Sequence, residues 1–257
     1  MRPNYFELTG PDKKVIRGIH QDPFCPGSDP LHPVIMIFCH GFPNSHMGAY
    51  GNLFQKLQNI CAQLGIPSIR FDFRGCGSSD GSSENFTIHS AMQDLDTVME
   101  WLDGHGFSRI MLTAEGLGVV PALISLGELA EAGAFFWPIF QTQDFAVSQM
   151  DAEQHRENFE KGGYFETPQG KIGIPLVKEL YEMDLVPVMN QVKFPCLIQQ
   201  GVQDDIVPVE YLDMACAHFR NRRIELTTYQ DGTHGLPQEN HRKYMMFHYE
   251  QFIQKYI

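Results

Sequence analysis

The amino-acid sequence predicts an α/β fold, a mostly parallel sheet flanked by helices with a small cap insertion, and three observations carry that prediction. Short apolar runs alternate with segments of helical periodicity over roughly the first half of the chain, the signature of a parallel sheet with right-handed crossovers. That rhythm fails between 141 and 184 and resumes near Phe194. At 257 residues, one large unit accounts for the chain better than two, so 1–140 and 185–257 are assigned to the core and 141–184 to the insertion.

Taken in order, Tyr5–Leu8 and Lys14–Ile19 read as short strands joined by Gly10-Pro11-Asp12, forming an antiparallel edge. A proline-rich loop covers 21–33. Val34–Cys39 (VIMIFC) is continuously apolar, as a strand buried on both faces is. Within 50–64, apolar residues from Leu53 to Leu64 recur at helical spacing, and Gly65 stops the helix. Ile66–Phe73 is the next strand, and it runs into the glycine- and serine-rich loop Arg74–Gly81. In the helix Ser90–Leu102, Met92, Leu95, Val98, Met99 and Leu102 line one side, while Asp94, Asp96 and Glu100 are placed toward water. Gly133–Phe140 reads as a further strand. The insertion carries Gly162-Gly163, Pro168-Gln169-Gly170 and one convincing helix at Leu176–Met183. Its aromatic residues Phe145, Phe159, Tyr164 and Phe165 either line a pocket or pack the insertion onto the core. Beyond it come a strand from Phe194 to Gly201, a helix at 209–219, the last strand Ile224–Tyr229, and a closing helix Tyr244–Tyr256.

Composition excludes several functions. A formal net charge of −12 opposes binding to nucleic acid or to an anionic membrane surface, either of which needs concentrated positive charge. Hydrophobic residues at 43% and charged residues at 19% are ordinary for a soluble globular protein. The six cysteines are scattered with no C-x-x-C pair, so free buried thiols are expected in place of a zinc site. MRPNYFELTG lacks an apolar leader, and no run of about 18 apolar residues occurs anywhere, so a cytoplasmic, reducing location is expected, without a membrane partner.

The stretch with chemical content is Ile110–Ala122. Ile110–Thr113 reads as a buried strand, Ala114-Glu115-Gly116-Leu117-Gly118 as a tight turn, and Val119 onward as a helix with Pro121 in its first turn. A strand–turn–helix of this shape is the form of a nucleophile elbow, in which G-x-S-x-G lifts a serine above the sheet and aims the next backbone N–H at a developing oxyanion. Here the central position is Gly116, which has no side chain to be acylated. Glycine reaches the strained backbone of such a bend without penalty, so the fold is expected to stand. Glu115, one position off, is expected to point away from the cleft. Cys39 lies in a strand and Cys76 in a loop, and neither replaces the serine.

Several loops sit at the carboxyl ends of predicted parallel strands, where open α/β sheets bind ligands. They are His40-Gly41-Phe42, the run Arg70-Phe71-Asp72-Phe73-Arg74-Gly75-Cys76-Gly77-Ser78-Ser79-Asp80-Gly81, the bend at Gly116, Gly201-Val202-Gln203-Asp204-Asp205-Ile206-Val207-Pro208, and His234 before the last helix. Together they resemble the α/β-hydrolase family over nearly the whole chain. The wording around Arg70–Gly81, with Asp184-Leu185 where the insertion rejoins the core, is most similar to the cinnamoyl or feruloyl esterase branch. The resemblance implies carboxylic-ester chemistry on a small-molecule ester or carboxylic-acid ligand, with no cofactor and no metal. It implies that Asp204 orients an imidazole, that His234 is this imidazole and handles the proton, and that Phe42 and Leu117 supply oxyanion-hole backbone N–H groups. Asp204 and Asp205 also fit a helix N-cap pair. Arg74 and Asp72 are expected to pair beneath their loop.

Three readings follow from the missing hydroxyl. The first is a pseudo-esterase that binds an ester, acid or acyl-like ligand without turning it over. The second is an ester hydrolase, either one whose serine at position 116 has been replaced or a slow one in which His234 and Asp204 activate water. The third is a protein-interaction module acting through the cap, which an exposed apolar surface would mark.

Overall fold

The computed structural model describes residues 4–25, 27, 32–49, 52–151, 157, 160–167, 170–219 and 223–257. Its strands are β1 (Asn4–Thr9), β2 (Val15–Gln21), β3 (Val34–Cys39), β4 (Ser68–Asp72), β5 (Arg109–Glu115), β6 (Ala130–Phe136), β7 (Tyr164–Thr167), β8 (Gly170–Gly173), β9 (Cys196–Gly201) and β10 (Ile224–Tyr229). Eight of them form one sheet in the order β1-β2-β4-β3-β5-β6-β9-β10, and β7 and β8 form a separate hairpin. β1 and β2 are the expected antiparallel edge, and β2 also runs antiparallel to β4. From β4 to β10 every pairing is parallel.

Two-residue periodicity explains why the inner strands are apolar throughout. Ile35, Ile37 and Cys39 of β3 join one buried cluster, and Val34, Met36 and Phe38 join the other. The first cluster is covered by α2 (Ile88–Gly104) and α3 (Val119–Leu126), the second by α1 (Leu53–Gln63) and by the closing helix, Glu239–Lys255. The strand predicted at 133–140 begins earlier and stops at Phe136, because Trp137 takes a left-handed turn with φ of 37° just before Pro138. Tyr50, where the first helix was expected to begin, lies outside the described residues.

Between β6 and β9 the chain leaves the sheet through α4 (Thr142–Asp151), the β7–β8 hairpin, α5 (Ile174–Glu182) and the short α6 (Val186–Met189). The helix read at 176–183 is α5; α4 and the hairpin were not read from the sequence. Glu179 on α5 accepts hydrogen bonds from the Ile88 and His89 N–H groups, placing negative charge at the start of α2, whose end is also closed by a Thr87–Ser90 capping box. α7 (Glu210–His218) and α8 (Glu239–Lys255) complete the chain, α8 starting five residues before the sequence periodicity placed it.

Candidate active site

Five loops converge at the carboxyl edge of the parallel strands and enclose a cleft of about 880 Å³. Its floor is the β5–α3 bend. Gly116 stands there with φ of +51°, in the left-handed region that favours glycine. A Cβ built on Gly116 meets only Gly41 Cα and Trp137 Cδ1, both at 3.8 Å, so there is room for a side chain. Gly118 is different. A Cβ there would sit 2.2 Å from the His40 carbonyl oxygen, so the start of α3 approaches the end of β3 only because position 118 is bare.

His234 lines the same cleft from the loop after β10, and Asp204, on the loop after β9, stands behind it. His234 Nδ1 lies 2.9 and 3.0 Å from the two carboxylate oxygens of Asp204. Asp204 is buried, and its Oδ1 also accepts from the Ile206 and Val207 N–H groups at 2.9 and 2.8 Å while Gln200 Nε2 donates to Oδ2 at 3.0 Å. Those backbone bonds close a turn within the loop. Neither aspartate caps α7, which begins only at Glu210, so the N-cap reading is replaced by a local turn that fixes the carboxylate. Asp205 lines the cleft instead. The His234 ring lies 5.9 Å from the indole of Trp137, centre to centre.

Phe42 and Leu117 both line the cleft, one on the loop after β3 and the other directly after Gly116. The Phe42 ring stacks on Phe86 at 4.1 Å and 10°. His40 is buried beside it: its Nε2 accepts from the Phe73 N–H at 3.0 Å, so the proton is assigned to Nδ1, which donates to the Gly41 carbonyl at 2.6 Å. Burial pushes its pKa down to about 4. His40 is therefore a neutral strut.

Several expectations are corrected by the packing. Glu115 does not point away from the cleft: it is buried in the cleft wall, its carboxyl turned toward Gly41, Asn44 and Ala49, and burial lifts its pKa to about 7. Arg74 and Asp72 do not pair with one another. Arg74 binds Asp94 and Asp12, while Asp72 accepts from the N–H of His46 and from Ser78, with His46 Nδ1 2.9 Å away. Asp94, read as facing water, is fully buried beneath Arg74, and its pKa is raised to about 6 by desolvation. Among the cap aromatics, Phe145 lines the cleft, Phe165 packs into the core, Tyr164 lies under the Lys171 ammonium at 4.0 Å, and Phe159 lies outside the described residues. Cys39, Cys61, Cys76 and Cys196 are buried free thiols; Cys25 is exposed.

Sequence reasoning missed Asn44 and Trp137. Asn44 follows His40-Gly41-Phe42-Pro43 in a strand-end loop, and Trp137-Pro138 marks the end of β6; these positions were the available signals. Among the described residues, no cluster of three His, Cys, Asp or Glu side chains is placed to hold a metal ion, and no helix is long and apolar enough to cross a membrane.

Comparison with known proteins agrees with this architecture. The family model for the alpha/beta hydrolase fold matches residues 34–114. The mitochondrial palmitoyl-protein thioesterase ABHD10 of Homo sapiens is 27% identical over 158 residues, 59% of this chain and 52% of that protein. The matched region thus spans about half the length of this curated relative. A putative hydrolase of Agrobacterium vitis superposes with a TM-score of 0.80 at 20% identity, covering 98% of both chains. Est1E of Butyrivibrio proteoclasticus, solved with ferulic acid bound, gives 0.81 at 17% identity, covering 97% of this chain and 98% of that one. The sheet order, the crossing helices and these superpositions identify the chain as a protein of the α/β-hydrolase fold.

Proposed function

We propose that this chain is a pseudo-esterase, an α/β-hydrolase-fold protein of carboxylic-ester-hydrolase type that binds a small ester, carboxylic acid or acyl-like ligand without forming an acyl-enzyme. One observation carries the reading. The Asp204–His234 pair is assembled at the cleft, yet the bend that it shares the cleft with bears Gly116, which has no nucleophilic atom. Support for the ligand class comes from the cleft wall, where Phe42, Trp137, Ile139, Phe145 and Ile206 offer apolar surface beside the few polar groups. Phe42 and Leu117 are assigned the oxyanion N–H groups by their positions after β3 and after Gly116. The 141–184 insertion is assigned as the cap of this cleft, a reading supported by Phe145, Ser148, Gln149 and Ile172 in its wall.

The test is direct. Incubation with p-nitrophenyl acetate or methyl ferulate should give no burst, and a fluorophosphonate probe should leave no adduct, while ferulic acid or a short-chain acid should shift the resonances of Gly116, Trp137 and His234. A covalent adduct on any residue defeats this reading. A second reading, slow hydrolysis, is favoured by the room over Gly116: His234 takes a proton from a water there, the resulting hydroxide attacks the ester carbonyl, and the leaving alkoxide recovers that proton. In that case turnover must vanish in His234→Ala.

A further inference from the structure

The loop from Gly41 to Ala49 is gripped by two carboxyl groups on opposite sides. On the far side Asp72, on β4, takes the His46 N–H and faces His46 Nδ1, while Arg70 donates to the His46 carbonyl at 3.1 Å. On the cleft side Glu115 gathers both ends of the loop. Its Oε1 accepts from Asn44 Nδ2 at 2.7 Å and from the Gly41 N–H at 3.4 Å, and its Oε2 accepts from the Ala49 N–H at 3.0 Å. All three partners are donors, and none carries a full charge.

We propose that Glu115 is a positioning residue that, as a carboxylate, fixes the Gly41–Ala49 loop and with it the Phe42 backbone at the cleft, and that releases the loop on taking up a proton. The consequence for oxyanion binding rests on the reading of Phe42 given above; the loop's own response does not. A carboxylate offers about four lone-pair sites, enough for three N–H donors. Once protonated, one oxygen carries an O–H that faces donors and the neutral group accepts more weakly than a carboxylate, so its grip on the loop loosens. Asp72 cannot compensate in the same way, since its hydrogen bonds to His46 and Ser78 hold its pKa at about 2 and it stays ionised throughout.

The surroundings place this change near neutrality. Burial drives Glu115 upward to about 7 against the pull of its three donors and of His234, which faces it from the turn after β10. His46 belongs to the loop itself, His40 stands just before it, and Arg70 and Asp72 act from β4 across it. Asp204 stands behind His234, Asp205 lies along the cleft, and Lys56 and Arg242 share the crevice behind Ala49. Glu115 has a value near 7; Asp94, raised to about 6, is bonded to Arg74 and to none of the loop's donors.

Backbone amide exchange measured by NMR on the unmodified chain tests the idea. Protection of Ala49 and Gly41, corrected for intrinsic base catalysis, should rise about tenfold between about pH 6 and pH 8, the scale of one hydrogen bond regained. In Glu115→Gln it should stay at the low-pH level at both. Protection that is flat in the unmodified chain, or that still rises in Glu115→Gln, overturns the proposal. If that variant does not fold, the Glu115 carboxyl shift in the unmodified chain decides, and a midpoint below about pH 5.5 overturns it. In a Gly116→Ser background, Glu115→Gln should lower kcat about tenfold or more with KM nearly unchanged; a loss confined to KM counts against positioning. An inert Gly116→Ser chain would defeat the esterase reading, while the exchange data would still decide on the loop.

Discussion

Replacing Gly116 by serine supplies the nucleophile that the proposed pseudo-esterase would lack, and the structure sets both what the change costs and what it should yield. A Cβ at this position finds its nearest neighbours, Gly41 Cα and Trp137 Cδ1, at 3.8 Å, which is ordinary contact, so nothing has to move. What remains is the backbone. Holding an L-residue at φ of +51° costs about 1–2 kcal/mol. For a chain of this size each kcal/mol lowers Tm by roughly 2–4 °C, so a fall of about 2–8 °C is expected. In a serine hydrolase the nucleophile is worth on the order of a millionfold in kcat. Even a poorly aligned hydroxyl beside His234 should therefore raise p-nitrophenyl acetate hydrolysis at least about a thousandfold over Gly116 and give a fluorophosphonate adduct at that position. The assay is a stopped-flow burst, intact-mass analysis of the labelled chain, and a melting curve on the same sample. A Gly116→Ser protein that melts within the expected window yet shows neither burst nor adduct would refute the assignment of His234 and Asp204.

In the serine-bearing background, His234→Ala and Asp204→Asn should each lower kcat by about 10⁴-fold, read in the same assay, because the first removes the base and the second loosens its tautomer. Glu115 and His40 pull stability in opposite directions with pH. The pKa of Glu115 is raised from 4.5 to about 7, so its contribution is fully present below 4.5 and is lost as pH climbs through 7, an effect on the order of 3 kcal/mol. His40, lowered from 6.5 to about 4, contributes above 6.5 and loses that contribution as pH falls through 4. Glu115→Gln should therefore make urea stability climb more steeply between about pH 5 and pH 7 than in the unmodified chain; an unchanged slope would contradict the burial argument. Gly118→Ala forces a methyl against the His40 carbonyl and should cost about 3 kcal/mol or more, seen as a large drop in Tm or as insoluble protein. Glu179→Ala removes the carboxylate at the start of α2 and should cost about 1 kcal/mol by urea titration, with faster amide exchange at Ile88 and His89.

Much of the sheet was legible because its signals are local. VIMIFC reads as a strand buried on both faces since each neighbour along it enters the opposite cluster, and Ile224–Tyr229 matches β10 residue for residue. The bend at Gly116 followed from strand–turn–helix spacing, and the Asp204–His234 pairing from what the resemblance to the α/β-hydrolase family implies. The insertion was less readable. α4 has almost no apolar periodicity, carrying charge and amide groups around Phe145 and Val147, and β7 and β8 are four residues each, too short to show a period.

By itself the sequence determined which core segments become strands and helices, that the sheet is parallel at its centre, and that the bend after β5 bears no hydroxyl, because periodicity and residue identity are properties of neighbours along the chain. Only the tertiary structure decided which charges meet: Arg74 with Asp94 in place of Asp72, Asp72 with His46, and Glu115 with the two ends of the loop beside it. Those partnerships depend on which loops the sheet order brings to one edge. A carboxylate takes whatever donors arrive within about 3 Å, whatever their separation in the chain.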